Sequence, residues 1–280
     1  MSHTTVVKVS GVREPWDPHK LERSLFAARA DKDLVKKIVE LVERDMYDGM
    51  HTRDVYRHAF ALLKRYDRPV AAQYSLKKAL AQLGPSGFPF ERFIASILHA
   101  RGYHTQVGVM IPGECVEHEV DVIAEKEDER MIVEAKFHNS QEIKTDVKVA
   151  LYVHARFQDI HKRFIAEDKL KQHEHFDRAW LITNTSFTSQ AIQYGACAGL
   201  SMTGWNYPTG RTLQDLVQET KTHPLTCLTT LTGNQKNALL EGGTVLCRDI
   251  ITNTRPLEHI GISKARIAAI QEEGERVCTI

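Results

Sequence analysis

The sequence predicts an α/β multidomain protein. It has a mostly helical N-terminal unit, a central unit on a mixed sheet, and a small helical C-terminal unit. Three observations carry this. The breaker G-P-S-G at Gly84 to Gly87 separates a run of helical patterns from a stretch of mixed character. Beyond it, helical and strand-like runs come in the order αβββαβαβ, with late strands apolar enough to lie buried between helices. After about residue 211 the apolar spacing is helical again. The units are accordingly 1–84, 87–210 and 211–280.

The first unit opens with a strand, Thr5 to Val9, and a turn at Gly11. Asp17 is an N-cap with Pro18 at the first helical position. Helices are expected over Pro18 to Ala30, Leu34 to Met46, Thr52 to Tyr66 and Ala71 to Leu83. The third begins with a Thr52 cap and carries Val55, Tyr56, Ala59, Leu62 and Leu63 at helical spacing.

The central unit starts with an apolar helix stripe of Phe90, Phe93, Ile94, Ile97 and Leu98, with Glu91 at its edge. Strands come next near His104 to Ile111, Glu119 to Glu125 and Met131 to Phe137. After them stand a helix from about Glu142 to Phe157, a polar helix from Ile160 to Phe176, and a buried strand at Ala179 to Thr183. A helix from Ser186 to Ala198 and a strand at Leu200 to Trp205 complete it. In the third unit, Leu225 to Leu231, T-G-N-Q-K-N-A-L-L and I-G-I-S-K-A-R-I-A-A-I suggest short helices with tight Gly-containing turns.

Asp121, Glu134 and Lys136 are ionisable residues inside strand-like apolar runs. Burying an unpaired charge is costly, so such charges need a reason. Side chains i and i+2 share a strand face. Glu134 and Lys136 therefore point one way, and Met131, Val133, Ala135 and Phe137 the other, into a core. E-x-K alone is a common tripeptide and fits a solvated edge equally well. An Asp-bearing strand just before it makes a pattern for holding a divalent cation beside a fixed positive charge and a water.

The formal net charge of +1 gives no global pull toward nucleic acid, so any DNA contact must use local patches. No run is long enough to span a membrane and no signal-peptide layout is seen, which leads to the expectation of a cytoplasmic protein. The 5 cysteines form no C-x-x-C pair, which argues against structural zinc and for reduced thiols. His173 and His175 flank Glu174 in a polar stretch, where i, i+2 residues do not share a helix face; this reads as solvated surface.

G-F-P-F-E-R-F-I-A-S-I-L, V-D-V-I-A followed by V-E-A-K-F, and the downstream W-L-I-T-N-T-S-F-T-S-Q-A-I-Q-Y-G together resemble the PD-(D/E)XK restriction-endonuclease-like superfamily. The resemblance is nearest to its Mrr-type branch and covers about Gly87 to Pro208. It implies a DNA endonuclease using Mg²⁺ or Mn²⁺, with Asp121, Glu134 and the carbonyl of Ala135 as ligands. Lys136 matches the lysine that orients the attacking water and stabilises phosphate charge. Glu91 matches an acidic residue on the first helix that supports a second metal or a metal-bound water, although it fits a simple boundary position equally well. The approach to Asp121, E-C-V-E-H-E-V, departs from the Gly-rich approach of many Mrr-type enzymes. Glu117, His118 and Glu119 there read either as loop residues or as part of the metal shell. Lys144, Lys148, Tyr152 and Arg156 stand at steps of four, one helical face that either tracks a phosphate backbone or is merely solvated; Gln141 is placed to serve similarly.

The run V-V-K-V-S-G-V-R-E-P-W-D-P-H-K-L-E-R-S-L-F-A-A resembles the ATP-cone domain, a regulatory module of ribonucleotide reductases and of the repressor of their genes. The resemblance covers about residues 4 to 83. It implies that Lys8 and Lys20 contact ATP or dATP. Val9 stands where that family commonly has a second basic residue, and a degenerate cone used only for oligomer contacts is the alternative. The tail loosely resembles helix-hairpin-helix DNA-binding units, with Lys264 and Arg266 beside the I-G-I-S turn; packing or dimerisation is the other reading. Taken together the sequence implies a nucleotide-controlled DNA nuclease, working as a dimer or higher homo-oligomer. A nucleotide-sensing DNA-binding regulator with a silent nuclease fold is the second reading.

Overall fold

A computed structural model describes residues 4–127, 129–168 and 175–279. In the N-terminal unit, β1 (Thr5–Val7) pairs antiparallel with β2 (Arg13–Pro15) and parallel with β3 (Met50–His51). Helices α1 (Pro18–Ala27), α2 (Lys32–Arg44) and α3 (Thr52–Tyr66) pack on them. Asp17 accepts from the His19 N–H and Pro18 opens α1, as its sequence position predicts. Thr52 is not the cap of α3, which begins at that residue with His51 before it and no side-chain cap bond. The strand expected through Val9 stops at Val7, because Lys8 and Gly11 close a turn in which the Gly11 N–H donates to the Lys8 carbonyl.

The helix expected over Ala71 to Leu83 is two helices, α4 (Arg68–Tyr74) and α5 (Leu76–Leu80). Asp67 caps α4 by accepting from the Val70 N–H, which moves the start forward; the Ser75 hydroxyl donates to the Ala72 carbonyl and breaks the run. The hydrophobic core changes hands here. Val70 and Ala71 belong to the N-terminal core, whereas Ala72, Leu76, Ala79, Leu80 and Leu83 join the core of the central unit.

The central unit runs α6 (Phe88–Ala100), β4 (His104–Pro112), β5 (Glu117–Lys126), β6 (Glu129–Lys136), β7 (Lys144–Thr145), α7 (Val147–Asp168), β8 (Arg178–Thr183), β9 (Ser186–Phe187), α8 (Ser189–Ala198) and β10 (Ser201–Thr203). Among the described residues the main sheet has the order β10-β8-β6-β5-β4, with β4, β5 and β6 antiparallel and β6, β8 and β10 parallel. Alternation along the strands splits the core between the two faces. Val122, Ala124, Met131, Val133, Ala135 and Ile182 face α6, while Ile123, Ile132 and Leu181 face Ala150, Val153 and Ile160 of α7.

The two helices expected between Glu142 and Phe176 are one, α7, up to Asp168; His173 and the rest of that stretch through residue 174 lie outside the described residues. Nothing between Val147 and Asp168 is Gly or Pro, and Val153 and Ile160 keep the buried stripe in phase, so no break arises. At its N-terminal side, Lys144 and Thr145 pair parallel with Ser186 and Phe187. Hence Lys144 precedes the helix, and α8 starts only at Ser189, capped by Thr188 accepting from the Ala191 N–H at 3.2 Å.

The chain ends in α9 (Leu213–Thr220), a 3-10 turn (Leu225–Cys227), α10 (Gly233–Glu241), α11 (Cys247–Thr252), α12 (Arg255–His259) and α13 (Lys264–Thr279). Their apolar residues, from Leu213 to Val277, extend the same core that α6 builds. Among the described residues no helix is long and apolar enough to cross a membrane.

Candidate active site

β5 and β6 pair from Lys126↔Glu129 to Val122↔Val133, and there the ladder ends. β6 continues alone against β8 as far as Lys136↔Thr183. Asp121, the residue after the last pair, puts its carboxylate where the ladder would continue and accepts the Ala135 N–H at 2.7 Å. Gly108, between the paired Val107 and Val109, bends the outer strand at the same level with φ of 64°, which favours glycine. The two strands therefore part beside Asp121, and Glu134 and Lys136 lie in the notch.

Glu91 approaches from the first turn of α6, which starts on Phe88 and Pro89. Its half-buried carboxyl is pushed up to about 7, first by burial and then by the charges of Asp121 and Glu119. Burial also raises Asp121, against the lowering effect of the Ala135 N–H. Glu134 is raised by burial and by the neighbouring Asp121, more than Arg156 and Lys136 bring it down. Three carboxyls that resist ionisation in one notch suit a hard cation with oxygen ligands. Asp121, Glu134 and the Ala135 carbonyl are the donors the notch presents. Among the described residues no three His, Cys, Asp or Glu side chains already surround one point.

Arg156 departs from expectation. Its guanidinium turns inward, donates to Glu134 Oε2 at 2.5 Å and stacks on Tyr152 at 4.3 Å from the ring centre. Both side chains of the pair are largely buried, at 11% and 15% exposure. Lys148 and Tyr152 of the same helix are exposed, as is Lys144 before it and Gln141 in the loop, so the expected row of four does not form one outward face.

His118 does not turn to the notch. It pairs with Asp159 of α7 at 2.8 Å, and the Asp159 carboxylate also accepts the Cys115 and Val116 N–H groups. Glu117 is exposed at the strand end, whereas Glu119 lies near enough to raise Glu91 and Asp121. A polar floor that the sequence did not single out lies beyond Lys136. Asn184 bonds the His138 backbone on both sides, accepting its N–H at 2.8 Å and donating to its carbonyl at 2.6 Å. The His138 ring meets Thr145, which bonds Thr183. Its available signal was T-N-T closing the otherwise apolar strand W-L-I. Phe137, next to Lys136, packs against Phe90 and directly over Gly84, where an added Cβ would overlap its ring.

Elsewhere, Lys8 and Lys20 do converge, both on Glu14 of β2, at 2.6 and 3.0 Å. Lys264 and Arg266 are exposed at the start of α13, after the turn at Gly261, and Arg266 donates to the Thr230 carbonyl at 3.1 Å.

A mixed sheet with an acidic strand end, E-x-K on its neighbour and a glutamate on the helix behind is the restriction-endonuclease-like arrangement, and the Mrr-type family described as restriction endonuclease matches residues 84–206. The family described as AF1548-like, C-terminal, matches residues 223–278. An uncharacterized protein of Archaeoglobus fulgidus is 33% identical over 185 residues, 66% of this chain and 99% of the relative. The crystal structure of the protein of unknown function AF1548 superposes with a TM-score of 0.56 at 31% identity, over 69% of this chain and 99% of that one. The chain belongs to the AF1548-like family and carries a restriction-endonuclease-like domain. About a third of it has no counterpart in the Archaeoglobus fulgidus relative.

Proposed function

We propose that the protein is a metal-dependent DNA endonuclease whose cutting is governed by ATP or dATP. The observation that carries this is the parting of β5 from β6, which leaves Asp121 on the Ala135 N–H and sets Glu134 and Lys136 beside it. Asp121, Glu134 and the Ala135 carbonyl would hold Mg²⁺ or Mn²⁺. Bound there, such an ion would lower the pKa of a water and offset charge on the phosphate. Lys136 supplies the fixed positive charge that orients the water and the scissile phosphate. Glu91, whose carboxyl is pushed up to about 7, would support such a water from the α6 side and accept its proton.

Lys144, Lys148 and Tyr152 are proposed to meet the DNA backbone beside the notch, and Lys264 and Arg266 at the α12–α13 turn. Arg156 serves Glu134 first, and reaches phosphate only by leaving it. Residues 1–84 are read as an ATP-cone-like sensor, with Lys8 and Lys20 for the nucleotide phosphates; 87–210 as the cutting unit; and 211–280 as the DNA-binding or oligomerisation unit. A homo-oligomer would bring two notches to one duplex.

Purified protein should nick or cut plasmid DNA with Mg²⁺ or Mn²⁺, and Asp121→Ala or Lys136→Ala should lower the rate by roughly 10³-fold. Undiminished cleavage by both variants would discard the notch as the active site. Calorimetry with ATP and dATP tests the sensor, and Lys8→Glu should remove the heat of binding. One observation favours the second reading, a DNA-binding regulator with a silent nuclease fold: Arg156 already neutralises Glu134. Sequence-specific binding without cleavage across metals and nucleotides would decide for it.

A further inference from the structure

The junction of the N-terminal and C-terminal units holds a cavity of ≈ 180 Å³ between α3, α5 and the segment from the 3-10 turn to α10. Tyr56, Phe60, Lys64, Lys78, Thr229 and Lys236 line it, and among its described lining residues there is no Asp or Glu. We propose that this cavity is a binding site for a phosphate-type oxyanion, which clamps α3 and α5 onto the C-terminal unit.

Three lysines from three different helices, α3, α5 and α10, line one space. Lys64 and Lys78 are exposed at its mouth and make no ion pair with a described carboxylate. Lys236 is mostly buried and donates to the Thr226 carbonyl at 2.6 Å, and Lys64 donates to the Thr229 carbonyl at 3.5 Å. Those carbonyls position the amines without neutralising them. Burial works most against the protonated form of Lys236; the charge of Glu273 favours that form, and Lys64 opposes it less. Glu273, which is not in the lining, makes no hydrogen bond to these amines: its two oxygens accept from the N–H and hydroxyl groups of Thr229 and Thr230 at 2.6 to 2.9 Å. A bound oxyanion would offer all three amines a charged acceptor that the carbonyls do not supply.

Size and polarity narrow the ligand. The volume is below the ~300 Å³ at which pockets begin to enclose drug-sized molecules. It suits a phosphate or diphosphate, either free or as the end of a nucleotide whose base extends outward. The lining is divided between residues that precede Gly84 and residues that come after His223, so the site exists only while the two units are docked. It is separate from the Lys8–Lys20 corner, which those lysines close on Glu14, and it does not depend on the nuclease reading.

The test is thermal unfolding and calorimetry of the full chain with inorganic phosphate, pyrophosphate, ATP, or sodium chloride at matched ionic strength. Saturable binding with a rise in unfolding temperature is expected for at least one phosphate compound, and not for chloride. Lys64→Glu and Lys78→Glu alter only the mouth and should each weaken binding by about tenfold; Lys236→Gln should do the same where it folds. Binding of phosphate or pyrophosphate alone identifies a free anion, and binding of ATP only identifies a nucleotide. No saturable binding, or binding that Lys8→Glu abolishes while Lys64→Glu and Lys78→Glu leave it intact, overturns the proposal.

Discussion

The notch at the end of β6 and the corner between β2 and α1 are built from the same kinds of side chain with opposite balance. In the notch, Glu91, Asp121 and Glu134 face Lys136 and Arg156, and burial drives the carboxyls toward their protonated forms. In the corner, a single carboxylate, Glu14, is held below its usual range first by Lys8 and then by Lys20, at the surface. The notch is short of positive charge and the corner short of negative charge. The contrast teaches that burial together with the sign of the excess, more than residue type, separates the two places; a cation is proposed for the first and an anion for the second.

The strongest way to break this contrast is to remove Arg156, the cation hydrogen-bonded to Glu134. Glu134 has a folded-state pKa raised above its unfolded value, so its favourable contribution is full below about 4.5 and is lost as pH rises through the raised value. Arg156→Ala raises it further and should cost about 3 kcal/mol at pH 8. The cost should be visibly smaller at pH 6, where the carboxyl takes a proton; urea unfolding at both pH values measures it. An equal cost at the two values would mean that Arg156 acts by packing alone.

A smaller effect sharpens the same point. Binding of Mg²⁺ near pH 7 should release about one proton per ion, because the raised carboxyls beside the ion must ionise, as ligands or next to its charge. Calorimetry in two buffers of different ionisation enthalpy would read this, and Glu91→Gln should reduce the release. The smallest effect belongs to the corner. Glu14→Gln should leave the unfolding temperature unchanged and tighten ATP binding by about fivefold, since it frees two lysines for phosphate. Unchanged ATP affinity would remove Glu14 as a competitor for those lysines.

Strand period two was enough to read the faces of β6 from the sequence, since Met131, Val133 and Ala135 are buried together and Glu134 and Lys136 are not. Helix period read the apolar stripes of the N-terminal unit, and Asp17 marked its first cap; neither read the break at Ser75, where a local hydroxyl bond competes with the ladder. Arg156 was misplaced because steps of four from Lys144 suggest an outward row. A second spacing was available: Arg156 lies three residues after Val153 and four before Ile160, both buried, so it borders the core stripe. The polar floor of Thr145, Thr183 and Asn184 was harder, because its partners are brought together from separate segments and hydrogen-bonding partners across such distances leave no periodic trace.

Gly84 looks like the slack between two units, yet it rests against Phe137, the neighbour of Lys136. The joint is therefore a mechanical stop with no clearance. Its missing side chain sets how far the end of β6 can sit toward α6, and any bulk added there would be paid in displacement of the lysine, leaving every charge in the notch unchanged. A Gly84→Ala chain would keep the chemistry and lose the alignment, which separates what the notch is made of from where it is held.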